Sequence, residues 1–259
     1  MNVAINGFGR IGRAAFKILL ERKGVGENIN VVAINDLSAA STLSYLLKRD
    51  TVYGTYKDEV SNTERAILVD GQKYPLFNEK DPAQLPWNDL GVDVVLECTG
   101  AFTKSEGAKL HLQAGARKVL LSAPAKDNEF KTAVLGEDDL DINGDLISNA
   151  SCTTNCITPV IHVLSKEFGV DKAFLTTVHG YTASQPIVDS PNVKDPRKGR
   201  AGAQNIVPTS TGAAKATSKA MPQFENIFDG IALRVPVICG SISDITAVLK
   251  KDVTIEDIN

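Results

Sequence analysis

With 259 residues, the chain is long enough for two ordinary domains, and its 43% hydrophobic and 23% charged residues are typical of soluble globular proteins. A formal net charge of −3 without a long basic run argues against a nucleic-acid-binding surface. No apolar run approaches the roughly 20 residues of a membrane span, and no signal-peptide pattern opens the chain, so we expect a cytoplasmic protein. Its four scattered cysteines do not form the pattern of a disulfide framework, and we expect reduced thiols.

The first part of the chain alternates between short apolar stretches and helical patterns. Buried strands are predicted over residues 3–5, 31–34, 92–96 and 119–121. Helices are predicted over residues 11–20, 39–47 and 108–112. Thr103 and Glu106 form a capping-box pattern before the third helix, and Asp70-Gly71 between two apolar runs predicts a hairpin. The alternation predicts an α/β domain with a mostly parallel sheet over residues 1–150.

The pattern changes after Asn149. A helix is predicted over residues 152–168, broken or kinked at Pro159, and longer strands are predicted over residues 174–178, 231–235 and 242–249. Residues 184–211 are rich in proline, glycine and polar side chains, which is typical of a functional or interface loop. We therefore expect a second, α+β domain over residues 151–259.

A glycine-rich segment follows the first predicted strand and opens the first helix. In Asn6-Gly7-Phe8-Gly9-Arg10-Ile11-Gly12, Gly7 permits a tight turn, Gly9 lets a pyrophosphate approach the helix N-terminus, and Gly12 permits close packing. Asp36 ends the second strand, where a carboxylate binds the adenosine ribose and disfavours the extra phosphate of NADP. The pattern favours NAD on a doubly wound Rossmann sheet, with a simple tight turn and a solvated Asp36 as the alternative.

Two later strand ends supply further cofactor candidates. Thr99-Gly100 and Ser122-Ala123 each lie just beyond a predicted strand. Loops at the carboxyl ends of parallel strands line the ligand crevice of an open sheet, although the position alone is weak support.

A cysteine begins the second half of the chain. Cys152 lies between a short predicted strand and a helix, close to the helix N-terminus, where the dipole stabilises a thiolate. Cys156 lies one turn further along, and we expect it to be a small buried hydrophobic residue. No second ligand pair with zinc spacing follows, so no metal site is predicted.

Three histidines are candidates for a general base. His111 and His162 lie within predicted helices and are expected to be ordinary surface or core residues. His179 ends a predicted strand and precedes Gly180, a position from which a side chain is often presented to a cleft. We expect His179 to be the base that partners Cys152.

Several segments occur together in one characteristic order. They are NGFGRIGR, INDL, ECTG with AFT, LLSAPAKD, SNASCTTNCITP, PTSTGAAKA and LRVP. Together, from Met1 to Asn259, they resemble the phosphorylating glyceraldehyde-3-phosphate dehydrogenase family.

The resemblance implies a reaction and a cofactor. Cys152 attacks the aldehyde of glyceraldehyde 3-phosphate, His179 takes the hydroxyl proton as hydride leaves for NAD, and inorganic phosphate releases the resulting thioester. The Cys152 backbone N–H is suited to stabilise the developing oxyanion. The residues implied to bind NAD are Gly9, Arg10, Ile11, Asp36, Thr99, Gly100 and Ser122.

The resemblance also implies two phosphate-binding groups. Thr182 and Arg234 are expected to hold the phosphate of the substrate. The attacking phosphate is expected to lie among Ser151, Thr153, Thr211 and Gly212. Without the resemblance, Arg234 reads as a structural ion pair and Thr211-Gly212 as a turn.

Two departures from the family pattern accompany it. Lys198 stands where many relatives carry an arginine, so it is left outside the expected site. Family members continue beyond the position of Asn259, so we expect an incomplete catalytic domain. The alternatives are an inactive NAD-binding fragment and an erythrose-4-phosphate dehydrogenase, and the family implies a homotetramer.

Overall fold

A computed structural model describes residues 1–22, 29–136, 142–193 and 195–259. It divides into two compact units. Unit 1 contains Met1–Ala133 and the segment that ends at Ala150, and unit 2 contains Ser151–Asn259 and a short segment that starts at Val134.

Unit 1 is built on a nine-stranded sheet. The strands of this unit are β1 (Asn2–Asn6), β2 (Asn30–Asn35), β3 (Arg49–Asp50), β4 (Gly54–Thr55), β5 (Val60–Thr63), β6 (Ala66–Val69), β7 (Gln72–Phe77), β8 (Val94–Glu97), β9 (Lys118–Leu121), β10 (Lys131–Thr132) and β11 (Leu146–Ser148). Its helices are α1 (Arg10–Glu21), α2 (Ala40–Lys48) and α3 (Ser105–Gln113). The sheet order is β10-β11-β9-β8-β1-β2-β7-β6-β5, while β3 and β4 pair separately.

The strand order of this sheet confirms the predicted α/β fold. Every pairing from β10 to β7 is parallel, and only the β5-β6-β7 meander is antiparallel. The chain proceeds from β1 to β2 on one side and returns to β8 on the other side of β1. The topological switch point, where open parallel sheets bind ligands, therefore lies at the carboxyl ends of β1 and β8.

The predicted hairpin forms at Asp70-Gly71. Both residues have positive φ angles, 47° and 78°, and they join β6 to β7. This is the backbone that a two-residue hairpin requires, and Asp-Gly supplies it at little steric cost.

Unit 2 contains a separate four-stranded sheet. Its strands are β12 (Val170–Gly180), β13 (Val207–Ser210), β14 (Phe228–Val235) and β15 (Ser241–Leu249), and its helices are α4 (Cys152–Phe168), α5 (Ala213–Ala220) and α6 (Ile255–Ile258). The order is β13-β14-β12-β15, with β12 and β14 parallel and the outer pairings antiparallel. Ile157 and Ile161 of α4 pack with Leu175 of β12 and Ala213 of α5 in one buried core. That packing fixes the start of α4 against one face of the sheet.

Two predictions of local structure are wrong. Lys104, not Thr103, is the N-cap of α3 and makes no side-chain cap; instead, the Ser105 N–H donates to Asp127 Oδ2 at 2.6 Å. Helix α4 covers the predicted residues 152–168 and continues through Pro159, because tertiary packing of its apolar face maintains the helix on both sides of the proline. The predicted loop over residues 184–211 contains β13, whose pairing with β14 overrides its weak strand pattern.

Candidate active site

The start of α4 places Cys152 at the first helical position. The side chain of Ser151 caps the helix by accepting a hydrogen bond from the Thr154 N–H at 3.0 Å. Ala150 immediately precedes it with φ of 53°, a left-handed conformation that costs a non-glycine residue roughly 1–2 kcal/mol. The chain therefore enters α4 through a strained turn followed by a formed cap.

Cys152 and His179 face each other within unit 2. Cys152 Sγ lies 3.3 Å from His179 Nε2, and the Cys152 side chain is exposed. The thiol is thus accessible to a ligand, stands at a helix N-terminus and has an imidazole nitrogen within hydrogen-bonding distance. These are the features required of an activated nucleophile and its base.

The second imidazole nitrogen of His179 has two neighbours. Nδ1 lies 2.7 Å from the Gly180 carbonyl oxygen and 2.7 Å from Arg234 Nη1. A guanidinium only donates and a carbonyl only accepts, so the two contacts require opposite protonation of Nδ1. Only the tautomer that donates to Gly180 leaves Nε2 without a proton in neutral imidazole. The base-competent form of His179 is therefore incompatible with the Arg234 contact.

Arg234 is held at the centre of the sheet of unit 2. It lies on β14 directly opposite His179 on β12, and its Nη1 also approaches the Gly180 carbonyl oxygen at 3.2 Å. Burial lowers the pKa of the Arg234 guanidinium, while the nearby Cys152 acts in the opposite direction. No carboxylate neutralises this half-buried cation among the ion pairs of the described residues, so the structural ion-pair alternative is not supported.

The other expected phosphate ligands lie in three places. Thr182 follows β12, and its hydroxyl lies 2.9 Å from that of Ser184. Thr211 and Gly212 directly precede α5, with Thr211 Oγ1 accepting a hydrogen bond from the Ala213 N–H at 3.2 Å. Thr153 is buried in the first turn of α4 beside Cys152. The direct contacts thus join Cys152, His179 and Arg234, and the hydroxyl residues occupy nearby turns and helix starts.

Cys156 differs from its prediction. It is exposed, not buried, because the face of α4 that carries it points away from the core residues Ile157 and Ile161. His111 is a fully buried core residue, as expected. Arg200, next to Gly199 in the long loop, forms an ion pair with Asp189 at 2.6 Å.

The glycine-rich loop of unit 1 has the geometry of a pyrophosphate site. Gly7 has φ of 90°, and an added Cβ would come within 2.7 Å of the Thr99 backbone nitrogen. An added Cβ at Gly12 would overlap the Gly7 carbonyl oxygen, whereas at Gly9 it would meet no atom within 4 Å. Gly9 provides no side-chain cap to α1, so the Arg10 and Ile11 end of the helix faces open space with its first N–H groups uncapped. These residues fit a dinucleotide.

Asp36 is oriented by two backbone donors. Its Oδ2 accepts from the Phe8 N–H at 2.8 Å, and its Oδ1 accepts from the Ser38 N–H at 2.9 Å. Each oxygen retains acceptor capacity for a ribose hydroxyl. The Arg10 side chain instead pairs with Asp50 at 2.5 Å. Arg10 can therefore contribute only its backbone N–H to a ligand in the glycine-rich loop.

The remaining cofactor candidates surround the end of β8. Thr99 donates its N–H to Glu97 Oε1 at 2.8 Å, and Gly100 follows with φ of 73°. Ser122 donates both its N–H and its hydroxyl to the Glu97 carbonyl oxygen at 3.0 Å. Unit 1 therefore brings these residues together at the switch point, and sequence reasoning missed Glu97, which joins them. A charged residue ending a buried strand was the available signal.

Comparison with known proteins decides the family. Residues 1–105 match the model of the glyceraldehyde 3-phosphate dehydrogenase NAD binding domain, and residues 151–259 match that of the C-terminal domain. The glyceraldehyde-3-phosphate dehydrogenase of Streptomyces coelicolor is 51% identical over 100% of this chain and 76% of its own length. The chain belongs to the glyceraldehyde-3-phosphate dehydrogenase family. As a member, it is an NAD-dependent oxidoreductase with NAD as its cofactor.

Other members of the glyceraldehyde-3-phosphate dehydrogenase family are similarly related. The enzyme named glyceraldehyde-3-phosphate dehydrogenase in Clostridium pasteurianum is 50% identical over 99% of this chain and 76% of its own length. That of Borreliella burgdorferi is 51% identical over 100% of this chain and 78% of its own length. The described residues contain no helix long and apolar enough to cross a bilayer, and no cluster of three metal-ligating side chains.

Proposed function

We propose that this chain oxidises D-glyceraldehyde 3-phosphate to 1,3-bisphosphoglycerate in glycolysis, using NAD and inorganic phosphate. The observation that carries the proposal is the 3.3 Å contact between Cys152 Sγ and His179 Nε2 at the start of α4. A thiolate at a helix N-terminus attacks an aldehyde, and an adjacent imidazole manages the proton that the reaction must lose.

The covalent steps follow from this pair. With the thiol proton taken up by His179 Nε2, the Cys152 thiolate forms a C–S bond to the aldehyde carbon. The Cys152 N–H at the helix start stabilises the developing oxyanion, which receives that proton from His179 and becomes the thiohemiacetal hydroxyl. His179 Nε2 removes the proton of the thiohemiacetal hydroxyl as the carbon loses hydride, which leaves a thioester on Cys152. NAD, when bound, supplies the hydride acceptor. A phosphate oxygen then attacks the thioester, forming an acyl phosphate and returning the thiolate.

Arg234 and Thr182 are proposed to hold the phosphate of the substrate. The Arg234 guanidinium is half-buried, donates only, and lies 2.7 Å from His179 Nδ1. A dianionic phosphate is a stronger acceptor for a guanidinium than a neutral imidazole nitrogen. Substrate binding would therefore draw Arg234 from Nδ1, and His179 can then donate from Nδ1 to Gly180 and accept a proton at Nε2. The same movement of Arg234 would therefore anchor the substrate phosphate and leave His179 Nε2 free to accept a proton.

The attacking phosphate is proposed to lie near the N-termini of two helices. Ser151 and Thr153 belong to the start of α4, and Thr211 and Gly212 precede α5. Backbone N–H groups, hydroxyls and the helix dipoles favour an anion at such positions. The buried hydrogen bond between the hydroxyls of Thr158 and Thr217, at 3.0 Å, holds α4 and α5 together.

We propose that residues 1–150 form the NAD-binding domain and residues 151–259 the catalytic domain. In the first domain, the proposed NAD ligands are those already located at the switch point of the sheet. They are Gly9, Arg10, Ile11, Asp36, Thr99, Gly100 and Ser122. In the second domain, Cys152 and His179 supply the chemistry.

We further propose that the chain assembles as a homotetramer through the sheet of unit 2. One face of that sheet packs on α4 and α5, while the other presents Phe174, Ile231 and Ile242, which are 42%, 44% and 73% exposed. Strand register places all three on the same face.

Light scattering of a substituted chain tests this surface. Ile242→Lys should shift the assembly to smaller species, whereas Tyr45→Lys, at an exposed position on α2, should not. Unchanged assembly of Ile242→Lys would contradict this surface.

The proposed activity is tested by NADH formation from the purified chain with glyceraldehyde 3-phosphate, NAD and phosphate. We expect turnover that requires all three compounds and is absent from Cys152→Ala. A large preference for erythrose 4-phosphate would identify the sibling reaction. Folded, NAD-binding protein without turnover would contradict the proposal and leave a non-catalytic member of the family.

A further inference from the structure

A fully buried carboxylate lies beneath the two loops at the switch point of unit 1. Glu97, at the end of β8, has no exposed surface. Its Oε1 accepts hydrogen bonds from the Thr99 N–H at 2.8 Å and from the Thr99 hydroxyl. Its Oε2 accepts from Asn6 Nδ2 at 2.6 Å and lies 3.1 Å from His111 Nε2. Both carboxylate oxygens are therefore occupied by donors.

The tautomer of His111 is fixed from its other side. Trp87 Nε1 lies 3.0 Å from His111 Nδ1, and an indole N–H only donates. Nδ1 must accept, so in the neutral ring the proton is on Nε2, from which it is donated to Glu97. Trp87 and His111 are both fully buried. The Trp87 indole thus fixes the tautomer of His111, and that tautomer provides a donor to Glu97 Oε2.

The groups bonded to Glu97 belong to the two loops that carry the proposed NAD ligands. Asn6 is the residue before Gly7 and pairs with Glu97 across β1 and β8. Thr99 follows β8 and lies so close to Gly7 that no Cβ fits between them. Asn35, at the end of β2, donates to Asn6 Oδ1 at 2.7 Å and extends the network to the strand that precedes Asp36. One carboxylate therefore connects the carboxyl ends of three neighbouring strands.

We propose that Glu97 is a positioning residue for the dinucleotide, acting through Thr99 and Asn6 and oriented by His111 and Trp87. Glu97 has no exposed surface, so it acts on the cofactor through the loops that it holds. This inference rests on the assignment of residues 9–11 and 99–100 to the NAD site.

The side chain at position 97 must accept hydrogen bonds at both of its terminal atoms. A glutamine there has one acceptor oxygen and one donor nitrogen, so its amide N–H₂ would face either the donors of Thr99 or those of Asn6 and His111. A buried donor facing a donor is unsatisfied and displaces one of the loops. Glu97→Gln preserves the volume of the side chain and removes only this acceptor pattern.

The test is NAD affinity measured by calorimetry on folded protein, together with steady-state kinetics. We expect Glu97→Gln to raise the Kd and KM for NAD by about 10-fold or more, with kcat at saturating NAD within about 2-fold of the unsubstituted chain. The exposed Glu64→Gln on the same unit is the matched control and should leave both constants unchanged. A Glu97→Gln protein that melts at a lower temperature but binds NAD with unchanged affinity would overturn the inference.

A second substitution tests the orientation by Trp87 and serves if Glu97→Gln does not fold. Trp87→Phe removes the donor to His111 Nδ1 and leaves that buried nitrogen without its partner. The imidazole then loses the contact that orients its Nε2–H toward Glu97, and we expect the Kd for NAD to rise about 3-fold or more. Val69→Ala, in the β5-β6-β7 meander and in another core cluster of unit 1, controls for lost packing. Equal effects of Trp87→Phe and Val69→Ala on NAD affinity would contradict the proposal. Absence of NAD binding by the unsubstituted chain would instead contradict the cofactor site itself.

Discussion

His179 Nδ1 lies 2.7 Å from Arg234 Nη1, on the side of the imidazole opposite to Cys152. The proposed general base and the proposed anchor of the substrate phosphate are thus in direct contact. Since Nδ1 must accept from Arg234 but donate to Gly180, the contact would connect phosphate binding to the tautomer with a free Nε2 that the proposed mechanism requires.

Removal of the guanidinium should distinguish phosphorylated from unphosphorylated substrates. We expect Arg234→Leu to lower kcat/KM for glyceraldehyde 3-phosphate by about 10- to 100-fold, the effect of losing a charge-assisted hydrogen bond. Unphosphorylated glyceraldehyde should lose much less. The matched control is Arg197→Leu, because Arg197 is exposed and pairs with Asp195 at 2.9 Å. Equal losses for both aldehydes would show that Arg234 does not bind the phosphate.

Loss of the His179 imidazole should slow acylation and leave the affinity for NAD almost unchanged. We expect His179→Asn to reduce the rate of the NADH burst by about 10²- to 10⁴-fold, the usual range for a general base, with little change in the Kd for NAD. Stopped-flow absorbance measures the burst, and calorimetry measures the affinity. His162→Asn, within α4, provides a comparison histidine. A normal burst rate in His179→Asn would exclude it as the base.

Cys98 should affect stability at alkaline pH. Burial raises the pKa of its thiol to about 11 from an ordinary value of 9.0, so the folded chain retains a proton that the unfolded chain releases. This contribution is complete below about pH 9 and is lost as pH rises through about 11, on the order of 2 kcal/mol in total. Urea unfolding at pH 8 and pH 11 should show a larger loss for the unsubstituted chain than for Cys98→Ala. Equal losses would contradict the raised pKa.

The cap of α3 should depend on Asp127. Its hydrogen bond from the Ser105 N–H lowers the pKa of the carboxyl group, so stabilisation is present above about pH 4 and is lost as pH falls below it. We expect Asp127→Ala to lower the free energy of unfolding by about 1 kcal/mol at pH 7. Urea unfolding at pH 7 and pH 3 measures both effects. A pH-independent difference would argue against the carboxylate cap.

Residues that are close in sequence were predicted best. The G-x-G-x-x-G loop, the Asp70-Gly71 hairpin and the position of Cys152 at the start of α4 depend on local backbone chemistry, and the structure contains all three. The parallel sheet also follows from the local alternation of strands and helices.

Contacts between distant residues were not predictable from local pattern. Asp127 replaces the expected capping box from 22 residues away, and β13 forms because β14 is available to pair with it. The pairing of His179 with Cys152, 27 positions apart, was expected from residue type and strand-end position, but their 3.3 Å contact depends on the folded sheet. Glu97 and the Gly180 carbonyl oxygen acquire their partners only in the folded sheets. Residue types identified candidates, but tertiary packing decided their partners.

Peptide mass spectrometry decides whether Cys152 carries the acyl group. The chain is incubated with glyceraldehyde 3-phosphate and NAD without phosphate, quenched in acid and digested. We expect one phosphoglyceroyl adduct on Cys152, absent from Cys152→Ala, retained in Cys156→Ala and removed by added phosphate, as the assignment of Cys152 requires. An adduct on Cys156, or NADH formation without any cysteine adduct, would contradict it.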